Sequence, residues 1–558
     1  MKDNYISLIE QNGRQVLDLN RVKNNASGYV FELDKWKMLD RFLILGSEKN
    51  TYYSSAKELT IDNARNILKL LKEDGKRVVD HVVEISYSGR APKNDPAIFV
   101  LALASAAEDA DTRSYALEMM PLVVRTGTHL FQFINYCDKL RGWGRALRNS
   151  ISKWYTDKDL SQLVYQIIKY KSRHGWSHCD VLKKAHPKPK SPQQDFLFRS
   201  ITRGLDDNGL DLILDEDLTR YYVASTLGTK FNPDNPTDIN TVAKLIVQYD
   251  LPREVIPTRM LNYPIIWEAL LETGMPYTAM LRNLGKMSSV GVTGEFSEST
   301  KKIVDTLTNT TIIQRARVHP INILAAKVVY SQGAGYRGSN TWSVNQQICD
   351  ALETAFYESF KYLEPIGKRY MIAIDVSSSM VYENVPGLDF LTADVVSAAM
   401  AMAYIKKEDY VTTVAFSDEL IPVHLKEDYV TTVAFSDELI PVHLSKHMSI
   451  DSVINELKAI HFGATDCALP MLYAIDNNIP IDVFVIWTDN ETWYGDVDPH
   501  IALKKYREKM GINAKLVVCG VTATNFTIAD PNDPGMLDVV GFDSAVPMLI
   551  DQFSKETF

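Results

Sequence analysis

The sequence predicts a multidomain fold in which an all-α helical-repeat module precedes an open α/β domain. Three observations predict it. From about residue 55 to 363 the apolar residues recur at helical spacing. At about residue 365 the pattern changes to short, β-branched, nearly all-apolar runs that alternate with helical patterns. With 558 residues the chain is too long for one ordinary core, and its 46% hydrophobic and 23% charged residues are globular values.

In the first part, "IDNARNILKLLKED" (61–74) places Ile61, Ala64, Ile67, Leu68 and Leu71 on one helical face. Similar segments follow at "DPAIFVLALASAAED", "THLFQFINYCDKL", "LSQLVYQIIKYK", "DINTVAKLIVQYD", "PIIWEALLETG" and "QQICDALETAFYESFKYL". Pro, Gly, Asn or Asp punctuates the short connections between them. Many helices joined this way read as a degenerate array resembling HEAT-type stacks, without a sharp fixed period.

In the second part, "KRYMIAIDV", "YVTTVAF", "IDVFVIWTD" and "NAKLVVCGV" read as buried strands. Between them lie the helical patterns "LTADVVSAAMAMAYIK", "SIDSVINELKAI", "DCALPMLYAIDNN" and "HIALKKYREKM". Strands alternating with helices predict a mostly parallel sheet, whose ligands sit beyond the carboxyl ends of the strands. Within this part Lys407 to Leu425, "KEDYVTTVAFSDELIPVHL", recurs without a change as Lys426 to Leu444. Each copy reads as a complete hairpin, strand, Ser-Asp-Glu turn, strand. An identical pair occurring once reads as a very recent duplication or an error in the gene model. If both copies are present, one hairpin should occupy the sheet and the other extend from its edge.

Net charge is −10, which argues against a uniformly basic nucleic-acid binder. From Lys139 to Lys190, however, 13 Lys and Arg face three acids, a local +10 that leaves −20 for the remainder. That asymmetry points to a polyanionic partner. Within it, "KYKSRHGWSH" (169–178) offers Lys169, Lys171 and Arg173 to phosphates and Tyr170, His174 and Trp176 to unpaired bases. A solvated helix face with a core Trp is the plainer alternative. No apolar stretch approaches the ~20 residues of a membrane span and the N-terminus has no signal-peptide pattern, so no membrane partner is expected. Five scattered cysteines without a CxxC fit reduced thiols, and the expected compartment is the cytosol or the nucleus.

Three loops carry oxygen donors. "MIAIDVSSSM" (371–380) ends a strand in Asp375, Ser377 and Ser379; "FGATDCALP" supplies Thr465; "VIWTDNETW" ends a strand at Thr488 and Asp489. Each alone could be a helix cap. All three in order, at strand or loop ends of one α/β domain, describe an oxygen-only site with few charges, which suits Mg²⁺ or Mn²⁺ with retained waters. No general base or nucleophile set accompanies these residues, so an enzyme is not expected. "GAGYRG" (333–338) fits GxGxxG but follows a helical pattern and reads as a loop. His174, His178 and His186 lack a completing ligand set for zinc and fit RNA contact or hydration better.

Residues 365 to 558 resemble a von Willebrand factor A domain, whose metal-ion-dependent adhesion site uses this DxSxS, Thr, Asp set. The segments "GYVFELDKWKMLDRFLILGSEKNTYY", "RGWGRALRNSISKWY", "KYKSRHGWSHCDVLKKAH", "MLRNLGKM" and "ARVHPINILAA" look like the TROVE module. Module plus A domain, in this order, resembles the Ro (SS-A) ribonucleoprotein autoantigen family. The resemblance implies an N-terminal extension (1–27), a HEAT-like helical-repeat ring (28–364) and a Rossmann-like A domain (365–558) holding the duplication at 407–444. It further implies a monomeric RNA-binding protein that binds Y RNAs outside the ring and 3′ ends of misfolded noncoding RNAs within it. Lys169, Arg173 and His186 match family residues implicated in Y RNA binding, and Arg145 and Arg148 lie in a matching basic stretch. Asp375, Ser377, Ser379, Thr465 and Asp489 match the metal set, where a protein ligand could dock. The family carries one copy of the hairpin, so the duplication is this chain's departure.

Overall fold

In the computed structural model the described residues are 21–45, 56–204, 215–360, 365–422, 447–458 and 465–555, with short breaks inside these spans. The chain enters through an antiparallel hairpin, β1 (Arg21–Lys23) and β2 (Tyr29–Glu32), then the helix Lys35–Leu45. The expected boundary between residues 27 and 28 falls inside that hairpin.

Helices occupy the chain as far as Glu358. Side-chain caps set many of their starts: Asp109 accepts from Thr112 N–H, Thr126 from His129, Asp159 from Gln162 and Ser191 from Gln194. The helix Ala56–Ser88 is two helices meeting at Asp74, whose backbone leaves the helical region (φ −152°, ψ 81°). Ile67, Leu70 and Leu71 form its buried stripe, but Leu68 is 48% exposed, a correction to the face read from sequence. It sits about 100° round from Ile67, at the margin where a stripe ends and solvent begins. The other six expected segments are the helices Asp95–Ser105, Gly127–Leu140, Leu160–Lys169, Pro236–Tyr249, Pro264–Glu272 and Gln346–Glu358. Between Lys169 and His178 the chain makes a small hairpin, β3 (Ser172–Arg173) and β4 (Trp176–Ser177).

The A domain is built on β5 (Tyr370–Asp375), β8 (Val411–Phe416), β9 (Leu420–Pro422), β10 (Val483–Thr488), β11 (Lys515–Gly520) and β13 (Met536–Val540). Their order in the sheet is β13-β11-β10-β5-β8-β9, parallel except for β9. Two short pieces, β6 (Asn384–Val385) and β7 (Leu388–Thr392), pair with one another, and β12 (Phe526–Thr527) pairs antiparallel with β2. All six positions of β5, β10 and β11 are buried, because both faces of a parallel sheet are covered. Alternate side chains serve two cores: Ile372, Ile374, Val485 and Trp487 join the core shared with the helical module, while Met371, Ala373, Phe484 and Ile486 join one that includes Val30 of β2. The first copy of the duplicated hairpin supplies β8 and β9; the second, 426–444, lies outside the described residues.

The helical module meets the A domain at both of its ends. At the first end, β2 pairs with β12, Arg21 Nη1 bonds Asp498 at 2.6 Å and Arg41 Nη2 bonds Asp538 at 2.6 Å. At the other, buried Lys327 pairs with Asp451, and Glu353 accepts from Ile450 N–H at 3.2 Å. The helices are thereby closed into a circuit through the A domain. None of the described helices is long and apolar enough to cross a membrane.

Candidate functional site

The strands β5 and β10 are neighbours, with Ile374 opposite Trp487. From β5 the sheet extends to β8 on one side and to β10, β11 and β13 on the other. The gap between β5 and β10 is therefore a topological switch point, where the strand ends part and leave a crevice. Asp375 ends β5 there and is fully buried. It accepts from Ser377 N–H at 2.9 Å and from Thr488 Oγ1 at 2.7 Å. The hydroxyl oxygens of Ser377 and Ser379 are 3.1 Å apart. Thr465 and Asp489 are buried, Asp489 near enough for its charge to act on Asp375. Thr492 ties their two loops by donating to Thr465 O at 3.4 Å and accepting from Cys467 N–H at 3.3 Å, and Cys467 Sγ lies 3.8 Å from Thr488 Oγ1. The three loops singled out in the sequence thus converge.

Burial, then the charge of Asp489, pushes the Asp375 carboxyl up to about 7. A second carboxylate close by in a dry crevice makes Asp375 harder to ionise, a cost that a divalent cation would offset. Among the described residues no cluster of three or more His, Cys, Asp or Glu is suited to a metal. The donor set here is two carboxylates and three hydroxyls, chemistry that fits a hard cation retaining water.

Nothing in the local sequence signals what braces this crevice. Asn490, next to Asp489, sits in the left-handed region (φ 65°), and its Oδ1 accepts from Ile528 N–H at 3.2 Å. Asn24, between β1 and β2, donates through Nδ2 to Thr492 O at 2.7 Å and Asn490 O at 3.3 Å. The chain's N-terminal hairpin therefore holds the loop that carries Asp489. No local pattern announces such a contact, because the partners lie at opposite ends of the sequence.

A second cluster gathers the basic segment. Arg145 and Arg148 are exposed in the first turn of the helix Arg145–Thr156. That helix packs on the helix His178–Ala185, where Ser152 Oγ bonds Ala185 O at 3.3 Å. The β3–β4 turn is His174-Gly175, both at positive φ (52° and 77°), which projects exposed Lys171, Arg173 and His174. His186 is exposed at the left-handed C-cap of the next helix. Lys184 lies 5.2 Å from the Trp143 ring and 4.9 Å from Trp176, drawing the two basic stretches together. Lys169 is half-buried, its Nζ donating to Tyr165 Oη at 2.8 Å. Burial alone would lower its pKa, but that bond and the nearby Tyr170 and Glu254 outweigh it and raise it.

The three histidines do not meet. His178 is buried, with Nδ1 2.7 Å from Tyr155 Oη and its ring against Phe131, and burial holds its pKa down to about 4. The GxGxxG match follows the helix Pro320–Ser331 and is a closed loop, Gly335 N–H bonding Asn340 O at 2.9 Å and Trp342 N–H bonding Gly333 O at 2.9 Å.

Known proteins share this architecture. The family model described as the TROVE domain matches residues 22–209 and 245–329, and that of the Ro60 vWA domain matches 369–430 and 425–554. The two vWA matches meet at the junction of the duplicated copies. The chain is 36% identical to a Caenorhabditis elegans protein named RNA-binding protein RO60, over 96% of this chain and 90% of that one. It is 35% identical to the Deinococcus radiodurans protein of the same name, over 97% and 96%. The crystal structure of the Deinococcus radiodurans RO (RSR) protein superposes with a TM-score of 0.68 at 33% identity, covering 94% of this chain and 99% of that one.

Proposed function

The chain belongs to the Ro60 family, carrying its TROVE and vWA domains in order, and from that premise we propose that it is an RNA-binding protein, not an enzyme. Its RNA ligands on this reading are Y-type small noncoding RNAs on the basic face and the free ends of misfolded noncoding RNAs in the ring, serving RNA stability and quality control. The observation that carries the reading is the basic face itself. Arg145, Arg148, Lys171, Arg173 and His186 all present exposed side chains around one hairpin in a chain of net charge −10. Such a face neutralises phosphates and releases counterions, so affinity should fall steeply with salt. Selectivity would come from RNA shape and unpaired bases rather than sequence. A copurification experiment tests it: crosslinked RNA should be enriched in structured small noncoding species, and a protein that recovers no RNA above background would contradict it.

A second reading attaches to the A domain, favoured by the buried Asp375 and Asp489 at the switch point. There Asp375, Ser377, Ser379, Thr465 and Asp489 would hold Mg²⁺, or Mn²⁺, and an open coordination position would accept a carboxylate of a protein partner. Pull-down of that partner should require divalent cation and resist ribonuclease. Partner capture unchanged by chelation would overturn this reading and leave the RNA reading intact.

A further inference from the structure

Away from both clusters, a cavity of about 480 Å³ lies between the helices Tyr277–Ser289 and Pro320–Ser331 and the 333–342 loop, with Phe390 of β7 on its A-domain side. Its volume is that of a small-molecule site. Three cations line it, Lys93, Arg282 and Lys286, and none of its described lining residues is a carboxylate. In a chain with more acids than bases, that bias is local design rather than composition. Lys286 is held by Asn262 Oδ1 at 2.8 Å. Lys93 and Arg282 are exposed and make no hydrogen bond or ion pair among the described residues.

One wall is preset. The Trp342 ring stacks on Tyr330 (6.0 Å, 22°), and its indole N–H donates to Tyr330 O at 3.0 Å. Tyr330 Oη is in turn 2.9 Å from Ser288 Oγ. A Cβ on Gly285 would stand 2.7 Å from the Trp342 ring, so glycine there is what lets the indole seat. The side-chain amides of Asn322 and Asn340 also line the cavity and have no protein partner among the described residues. A mostly apolar floor, two free amides and a cationic mouth fit a ligand with a planar, hydrogen-bonding body and a negative group.

We propose that this cavity binds one nucleotide unit, the base against the apolar floor with its edge on Asn322 and Asn340, and the phosphate on Lys93 and Arg282. The nucleotide is either free or part of a single strand; the single-strand source rests on the RNA-binding reading above. The test uses the full chain irradiated with 4-thiouridine monophosphate and, separately, with a single-stranded hexamer carrying one 4-thiouridine, followed by peptide mapping. Crosslinks from either probe should fall within 278–286 and 322–342. Labelling by the monophosphate identifies a free-nucleotide site, and labelling by the hexamer alone identifies a strand site. The variant Lys93→Glu with Arg282→Glu, both exposed positions, should lower the yield by about tenfold or more while structured-RNA affinity stays within about twofold. No crosslink in those peptides from either probe, an unchanged yield in the variant, or displacement by a glutamate-rich peptide but not by unlabelled nucleotide would overturn the proposal. Structured RNA still bound in that event leaves the RNA-binding reading standing; labelling by the monophosphate when no RNA binds overturns that reading and keeps the pocket.

Discussion

Arg41 Nη2 lies 2.6 Å from Asp538 Oδ1, and both side chains are almost wholly shut off from water. The pair joins the first helix after the hairpin to the edge strand of the A-domain sheet. A buried charge left without its partner is costly, whereas an apolar pair of similar volume often is not. Arg41→Met should lose about 3–5 kcal/mol in urea unfolding, and adding Asp538→Leu should restore most of it. Unchanged stability in Arg41→Met would show that the two domains are not locked there.

The duplicated hairpin offers a cleaner case. Its first copy supplies β8, hydrogen-bonded to β5 along Tyr370–Asp375, and β9 beyond it. Deleting Lys426–Leu444 removes nothing from the described sheet and shortens the 423–449 connection. If the second copy adds no packing of its own, closing the shorter connection costs about 1 kcal/mol less. Thermal unfolding should therefore be unchanged or slightly raised; a large loss would mean that the second copy contributes its own packing.

His319 is buried, and burial holds its pKa down to about 3. Its native value lies below the unfolded value, so the unfolded chain takes up a proton first as pH falls. The stability at stake is intact above about pH 6.5 and is lost as pH drops toward the native pKa. His319→Gln should therefore gain on the parent by about 1.4 kcal/mol per pH unit between about pH 6 and 4. Referencing each pH to the parent cancels the opposite trend of Asp375 and Asp466, both pushed up to about 7 chiefly by burial. A constant difference across the window would contradict the neutral, buried imidazole.

At the strand ends, Asp375 must lose its proton before it can hold a cation. With its carboxyl pushed up to about 7, calorimetric Mg²⁺ affinity should fall as pH drops below that value, by about tenfold per unit for one displaced proton. Asp375→Asn should abolish the binding. Affinity that is level from pH 8 to 5.5 would place the cation elsewhere.

Much of this architecture was legible in advance. The all-apolar runs that became β5, β10 and β11 could only be buried strands, and their polar ends marked Asp375 and Asp489 because a parallel sheet opens there. β13, "MLDVV", does not read as a strand, because Asp538 interrupts its apolar run and its charge is balanced by Arg41, from the other end of the chain. Asn24 was invisible for the same reason, since its role lies in carbonyls of the Asn490–Thr492 loop. The basic hairpin was readable as charge, but its type of turn and the Trp143–Trp176 contact at 5.7 Å needed the fold. Local patterns fix faces and strand ends, whereas pairs that close the circuit have no local signature.

The most direct test is filter binding of a structured Y-type RNA across a salt series, for the parent and for Lys169→Ala with Arg173→Ala. Lys169 ends the helix before the β3–β4 hairpin, and Arg173 lies in β3. If they contact phosphates, the double variant should bind more weakly and its log–log salt slope should shrink by about two. Affinity and slope that both stay at parental values would contradict RNA recognition by this face.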